Sequence, residues 1–363
     1  MCDCSIHRLD WDISDAPWDL SAPGWDDPNK NPHCLQKFSG KRKFKNERIE
    51  FTRILPEDWP RVQYERRTGE LKTVIHWGQR KLLMSEIEFL NLYPRSRELH
   101  VVYAGAAPGT HTAYLSSLFP NITFHLVDPA PFTVKPTPKI RLYQGFFTHT
   151  LAHQFRNDYG GKILFVSDIR TADSEIQEEK EVDESVRSDM QMQMEWHMIM
   201  RPLRSMLKFR LPWTNGTTRY LAGEIYLPVW GPITTTETRL ITHENSLEVV
   251  EYDNKKYEEQ MFYFNTRVRP NMFPHGYHGQ GIDHCYDCAS EGYILCSYLL
   301  KQHNYKIEEA FAEFPNMSRK ISVMIDRNRT LASPNLDPAK RKEHIRRRQW
   351  KDGRPAYSHA AKN

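Results

Sequence analysis

The chain has 363 residues, 39% of them hydrophobic and 26% charged, with a formal net charge of +4. These proportions exclude a collagen-like or wholly disordered chain, and the length suits one large α/β domain with appendages or two small domains. No apolar run approaches the roughly 20 residues of a membrane helix, no signal-peptide core is read, and six cysteines are too few for a disulfide scaffold. A cytoplasmic, reducing compartment is therefore expected, with the nucleus as an alternative.

Residues 1–33 carry seven aspartates against Arg8 and Lys30, in a repeat of Trp-Asp pairs at Trp11, Trp18 and Trp25. Interspersed prolines exclude a continuous helix there. An extended arm anchored by its tryptophans is expected, or a docking peptide for a partner. Lys41 to Lys45 (KRKFK) is a basic cluster. Leu82 to Leu92 is apolar at helical spacing and is expected to pack on a neighbouring sheet.

Leu99 to Thr112, LHVVYAGAAPGTHT, is the stretch on which the reading turns. An apolar strand stops at Gly105-Ala106-Ala107-Pro108-Gly109, and a helical pattern follows from Thr112 to Phe119. Strand, small-residue turn and helix make the opening unit of a nucleotide- or cofactor-binding α/β fold. A second strand, Ile122 to Val127, leads to Asp128, placed to hydrogen-bond ribose hydroxyls. The turn is G-x-x-x-G and lacks the second close glycine of a pyrophosphate site. That favours a cofactor carrying adenosine without phosphates, namely S-adenosylmethionine.

A proline-rich loop (129–138) and a short strand near Ile140 to Tyr143 come next. KILFVS, Lys162 to Ser167, is a continuous apolar strand ending in Asp168, over the crevice where parallel sheets bind ligands. Ala172 to Val186 is acidic and reads as a loop. A long helix is predicted from about Ser188 to Leu207, with Met190, Met194 and Met198 as a core-facing stripe. Strands are predicted at Gly223–Val229, Glu237–Thr242 and Leu247–Tyr252, then helices at Tyr257–Arg267 and Glu308–Arg319. His275, His278, His284, Cys285 and Cys288 contain a single C-x-x-C without a second pair, and no metal is assigned. Residues 338–363 hold nine Lys/Arg against Glu343 and Asp352, a composition suited to RNA and also common in solvated tails.

Lys81, Asp168, Lys208 and Glu237, in that order around the glycine turn, resemble the K-D-K-E tetrad of cap ribose 2′-O-methyltransferases. GQRKLLMSEIEFL, VVYAGAAPGTHTAYL, ILFVSDIR, LKFRLPW and TETRL together resemble the poxvirus branch of that family, whose members also serve as the processivity subunit of a poly(A) polymerase. The likeness runs over roughly residues 60 to 300. It implies an α/β, Rossmann-like S-adenosylmethionine-dependent methyltransferase fold. An N-terminal arm is expected over 1–60, the methyltransferase domain over 61–327 and a basic tail over 328–363.

The resemblance also implies roles. Lys208 matches the general base, with Lys81, Asp168 and Glu237 completing the tetrad. Gln79, Tyr103, Gly105, Gly109, Asp128 and Phe147 match cofactor contacts, and Ala130 stands where the family has an arginine. Trp213 matches the ring that stacks on N7-methylguanine, Tyr64 the second ring and Glu258 one base-edge carboxylate; the other falls near Asn215. The implied substrate is m7G-capped mRNA, methylated on the ribose 2′-hydroxyl of its first transcribed nucleotide. A poly(A) polymerase catalytic subunit or another capping or transcription protein is the implied partner, with no membrane. A non-catalytic processivity subunit and a cap-independent RNA ribose methyltransferase stay open as alternatives.

Overall fold

The computed structural model describes residues 47–65, 78–171, 179–231, 235–277, 282 and 284–326. The Trp-Asp repeat, the KRKFK cluster, His278 and the basic tail lie outside them. In chain order the elements begin with α1 (Gly78–Leu90), β1 (Leu99–Ala104), α2 (Thr112–Leu118), β2 (Ile122–Asp128), β3 (Ile140–Gln144), α3 (His149–Tyr159) and β4 (Ile163–Ser167). There follow α4 (Glu179–Met200), β5 (Arg204–Phe209), β6 (Thr217–Leu221), β7 (Gly223–Tyr226), β8 (Thr238–Thr242) and β9 (Val249–Asp253). Last come α5 (Asn254–Tyr263), a π-turn (Phe264–Val268), α6 (Tyr286–His303) and α7 (Ile307–Asp326).

The chain divides into two compact units. One, drawn from residues 95–227 and 236–259, holds a seven-stranded sheet in the order β3-β2-β1-β4-β5-β8-β7. β1 to β5 are parallel, β8 is antiparallel to β5, and β7 is antiparallel to β8. β2 and β4 are buried along their whole length, as strands of a covered parallel sheet are; β4 is apolar up to Ser167, while β2 also buries Thr123 and His125. This is the Rossmann-like α/β fold expected from the sequence. Strand order reverses between β1 and β4, and Ala104 pairs with Ser167 at their ends. The turn after β1 and the residue after β4 therefore meet at the carboxyl edge, where open α/β sheets bind ligands.

Several elements differ from expectation. The acidic stretch is helical from Glu179, and the long helix stops at Met200 instead of running to Leu207. Pro202 has no N–H to donate and disfavours a helical residue before it; Arg201 leaves the helix at φ 47°. Arg204–Phe209 then forms β5 between β4 and β8, because sheet pairing outweighs local helical patterning. Of the methionine stripe only Met190 is buried; the covered face of α4 runs through Val182, Val186, Trp196 and Met200. The helix α3, the strand β6 and the helix α6 carry weak periodic signals and were not predicted. The C-x-x-C spacing reflects capping: Cys285 Sγ accepts from the Cys288 N–H at 3.4 Å at the start of α6.

The second unit, residues 47–94, 228–235 and 260–326 where described, packs α1 against α6 and α7. The reason lies in Arg80, whose guanidinium is bonded to Glu291 of α6 and to Ser318 and Ser322 of α7.

In the sheet unit, His125 is fully buried, with its ring nitrogens 3.1 Å from His100 Nδ1 and 3.1 Å from the Tyr143 hydroxyl. Tyr159 stacks on His100, and Arg141 donates to the Tyr159 hydroxyl. Burial, reinforced by His100 and Arg141, pushes the His125 pKa down to about 3. The folded protein thus keeps this ring neutral where the unfolded chain, at an ordinary pKa near 6.5, takes up a proton. Its contribution is complete above that value and is lost as pH falls towards about 3. Between pH 7 and pH 4 the loss should reach up to about 3 kcal/mol. Urea unfolding at both pH values should show His125→Leu losing less stability on acidification than wild type; equal losses would refute this account.

Candidate active site

Gly105 and Gly109 hold φ of +80° and +69°. A Cβ on Gly105 would lie 2.8 Å from the Ile169 nitrogen and 2.9 Å from the Asp168 carbonyl carbon. Only glycine lets the β1 turn pass so close to the chain leaving β4. The Asp168 N–H donates to the Ala104 carbonyl at 3.0 Å, which fixes where the carboxylate emerges. Asp128 closes β2, and its two oxygens accept from the Ala107 N–H at 3.0 Å and the Ala130 N–H at 2.8 Å. The acid expected at the ribose also shapes the turn: its bonds occupy two of the roughly four acceptor sites of a carboxylate. Tyr103 is buried in β1, two residues before Gly105.

Beside this turn four charges alternate. Lys208, near the end of β5, has its Nζ 3.2 Å from Asp168 Oδ1 and 3.6 Å from Glu237 Oε2. Opposite Lys208 on β8 stands Arg239, 2.8 Å from Asp168 Oδ1 and 3.2 Å from Glu237 Oε1. Burial alone would lower the Arg239 pKa, but Asp168 and Glu237 more than offset it, and the net shift is upward. The guanidinium is thus a fixed cation that orients both carboxylates, and the Lys208 amine is held between the same two acids. Three residues of the predicted tetrad, Asp168, Lys208 and Glu237, come together. The cross-strand partner Arg239 was missed; only the antiparallel pairing of β5 with β8 brings it there, and no local sequence signal marks it.

Lys81 and Gln79 lie on α1, in the other unit. Tyr64 is in that unit too, 37% exposed, with its ring edge-on to Phe262 at 5.4 Å. Phe147 departs from expectation. It is fully buried, 4.7 Å from Trp196 and 5.8 Å from Phe165, so it belongs to the aromatic core and not to an adenine contact. Glu258, on α5, accepts from Lys255 Nζ at 2.6 Å. Lys255 is 38% exposed and the Glu258 side chain 10%.

Trp213 is half-buried just past β5, with the Arg210 guanidinium 4.1 Å from its ring centroid. Thr214, next along, is bonded through its carbonyl to Asn254 Nδ2 at 3.0 Å. Asn254 opens α5, so the Trp213 loop is tied to the helix that carries Glu258. Among the described residues no group of three or more His, Cys, Asp or Glu could hold a metal ion.

Residues 57–327 match the model of the family described as the poly(A) polymerase regulatory subunit. A protein of fowlpox virus (strain NVSL), named cap-specific mRNA (nucleoside-2′-O-)-methyltransferase, is 25% identical over 264 residues, covering 67% of this chain and 81% of its own length. A protein of the same name from myxoma virus (strain Lausanne) is 26% identical over 216 residues, 54% of this chain and 63% of the relative. Among solved structures, bluetongue virus VP4, described as a multifunctional RNA-capping production line, aligns with a TM-score of 0.39 at 11% identity, over 73% of this chain and 39% of its own.

Proposed function

The chain belongs to the poly(A) polymerase regulatory subunit family, and we propose that it is an S-adenosylmethionine-dependent methyltransferase acting on the ribose 2′-hydroxyl of the first transcribed nucleotide of m7G-capped mRNA. The observation that carries this reading is Lys208 held between Asp168 and Glu237 beside the switch-point turn. The names of the fowlpox and myxoma relatives support the same reaction.

The residues present fit the cofactor. Small residues line the turn after β1, and Asp128, at the end of the next strand, is the acid proposed for the ribose hydroxyls. Gln79, Tyr103, Gly105 and Gly109 complete the proposed cofactor set. S-adenosylmethionine, when bound, supplies an electrophilic methyl group. A ribose hydroxyl is a weak acid, so a base must take its proton as the new O–C bond forms. Lys208, as free amine, takes that proton. Asp168 and Glu237 aim the amine, Arg239 anchors both carboxylates, and Lys81 is the second amine of the tetrad. Trp213 and Tyr64 stack on the methylated guanine, whose positive charge strengthens the contact, and Glu258 accepts from the base edge.

The family description favours a second role beside the first, as a subunit that binds a poly(A) polymerase. No helix among the described residues is long and apolar enough to cross a membrane, and the proposed site of action is the cytoplasm.

The test uses labelled S-adenosylmethionine with short RNAs ending in m7GpppA, GpppA or a 5′-triphosphate. Wild type should label only the m7G-capped RNA. Trp213→Ala should raise KM roughly tenfold to a hundredfold, the value of one stacked base. Transfer that ignores the cap would make this a cap-independent ribose methyltransferase. No transfer, together with stimulation of a polymerase, would leave the processivity role alone.

A further inference from the structure

We propose that Asp183 is a positioning residue for cap recognition, holding the Trp213 backbone so that its indole is presented in one orientation. The proposal rests on the reading of Trp213 as the ring that stacks on the cap. Asp183 lies in the first turns of α4 and is 4% exposed. Its Oδ1 accepts from the Trp213 N–H at 3.1 Å and its Oδ2 from the Thr214 N–H at 3.1 Å. A single hydrogen bond would leave the peptide free to swivel, whereas two from consecutive N–H groups to one carboxylate fix its plane. One helical turn further along α4, Arg187 donates to the Thr214 hydroxyl at 2.7 Å. Asn254 donates to the Thr214 carbonyl from α5 and accepts from the Thr218 hydroxyl at 2.7 Å. The loop is held from both sides, and the ring-bearing residue itself is gripped by Asp183.

Arg210 packs on the same ring. That guanidinium covers one face of Trp213, and its Nε and Nη2 are buried without a hydrogen-bond partner. Burial depresses its pKa, and Asp183 is the foremost charge opposing that shift. A planar ligand that stacks on Trp213 would take the face opposite Arg210. With Arg210 on one face, the two backbone bonds to Asp183 limit how far the indole can tilt.

The experiment measures binding of m7GpppA and GpppA by calorimetry, and steady-state kinetics on capped RNA, for wild type, Asp183→Ala, Asp183→Asn, Trp213→Ala and the Asp183→Ala/Trp213→Ala double variant. Asp183→Ala should weaken m7GpppA about tenfold, the effect of losing hydrogen bonds to a charged acceptor. It should narrow the preference for m7GpppA over GpppA and raise KM with kcat little changed. S-adenosylmethionine affinity should not move. Asp183→Asn keeps one acceptor and should fall between, which serves if the alanine variant does not fold. In the Trp213→Ala background the Asp183→Ala loss should vanish. Should the loss persist there in full, Asp183 is merely a brace and the proposal is overturned; it is overturned equally if kcat falls as KM rises. If Trp213→Ala weakens the cap but neither Asp183 variant does, the positioning role fails alone. If Trp213→Ala leaves cap affinity unchanged, the stacking reading itself fails and takes this proposal with it.

Discussion

Lys208→Ala should lower the rate of methyl transfer by about 10²–10⁴-fold, the range contributed by a positioned general base, while m7G-cap binding stays within about twofold. The amine lies between two carboxylates that Arg239 also holds, so removing it takes away the proposed proton acceptor and leaves the frame around it. Lys208→Arg should not rescue the rate, because a guanidinium stays protonated at any working pH. Single-turnover transfer to m7GpppA-RNA is the measurement, with enzyme in excess so that binding does not limit. A variant retaining more than a tenth of the wild-type rate would move the base elsewhere. Any stimulation of a poly(A) polymerase should survive the substitution, since that role has no use for a proton acceptor.

The largest loss of stability is expected from Glu291→Ala. Arg80 has no exposed surface and joins three helices: it binds Glu291 of α6 through Nε at 2.7 Å and also through Nη2. It also donates to the Ser322 and Ser318 hydroxyls of α7, at 2.8 and 2.9 Å. The Trp230 indole N–H donates to the same carboxylate. Removing Glu291 leaves a guanidinium in the interior without its counter-charge, which costs about 3–5 kcal/mol. Against total stabilities of about 5–15 kcal/mol that is a large share. Replacing Arg80 and Glu291 together by apolar residues of similar volume should cost less than either change alone, because no charge is then stranded. Urea unfolding of the two single variants and the double reads this directly, and a double variant as damaged as the sum of the singles would refute it. Gln79 and Lys81 flank Arg80 on α1, so the variant should also impair transfer, with a loss that follows the melting curve and not the proton inventory.

Legibility from the chain alone tracked the range of the interactions. The strand, turn and helix around Gly105, the acid at Asp128 and the strand ending at Asp168 are written in contiguous residues: buried parallel strands are mostly apolar, and a turn that passes close to another chain segment needs glycine. Those features, with the family they resemble, were determined by sequence. The tertiary structure decided the rest. Lys208 is on a strand and not after a helix because Pro202 ends α4 and the sheet claims Arg204–Phe209. Arg239 faces Lys208 only through cross-strand register, and Asp183 reaches Trp213 across 30 residues of chain. Phe147, plausible as a ligand contact by position, is drawn into the core by Trp196 and Phe165. Each of these placements depends on pairing and burial between distant segments, which hydrophobic period and turn chemistry do not encode.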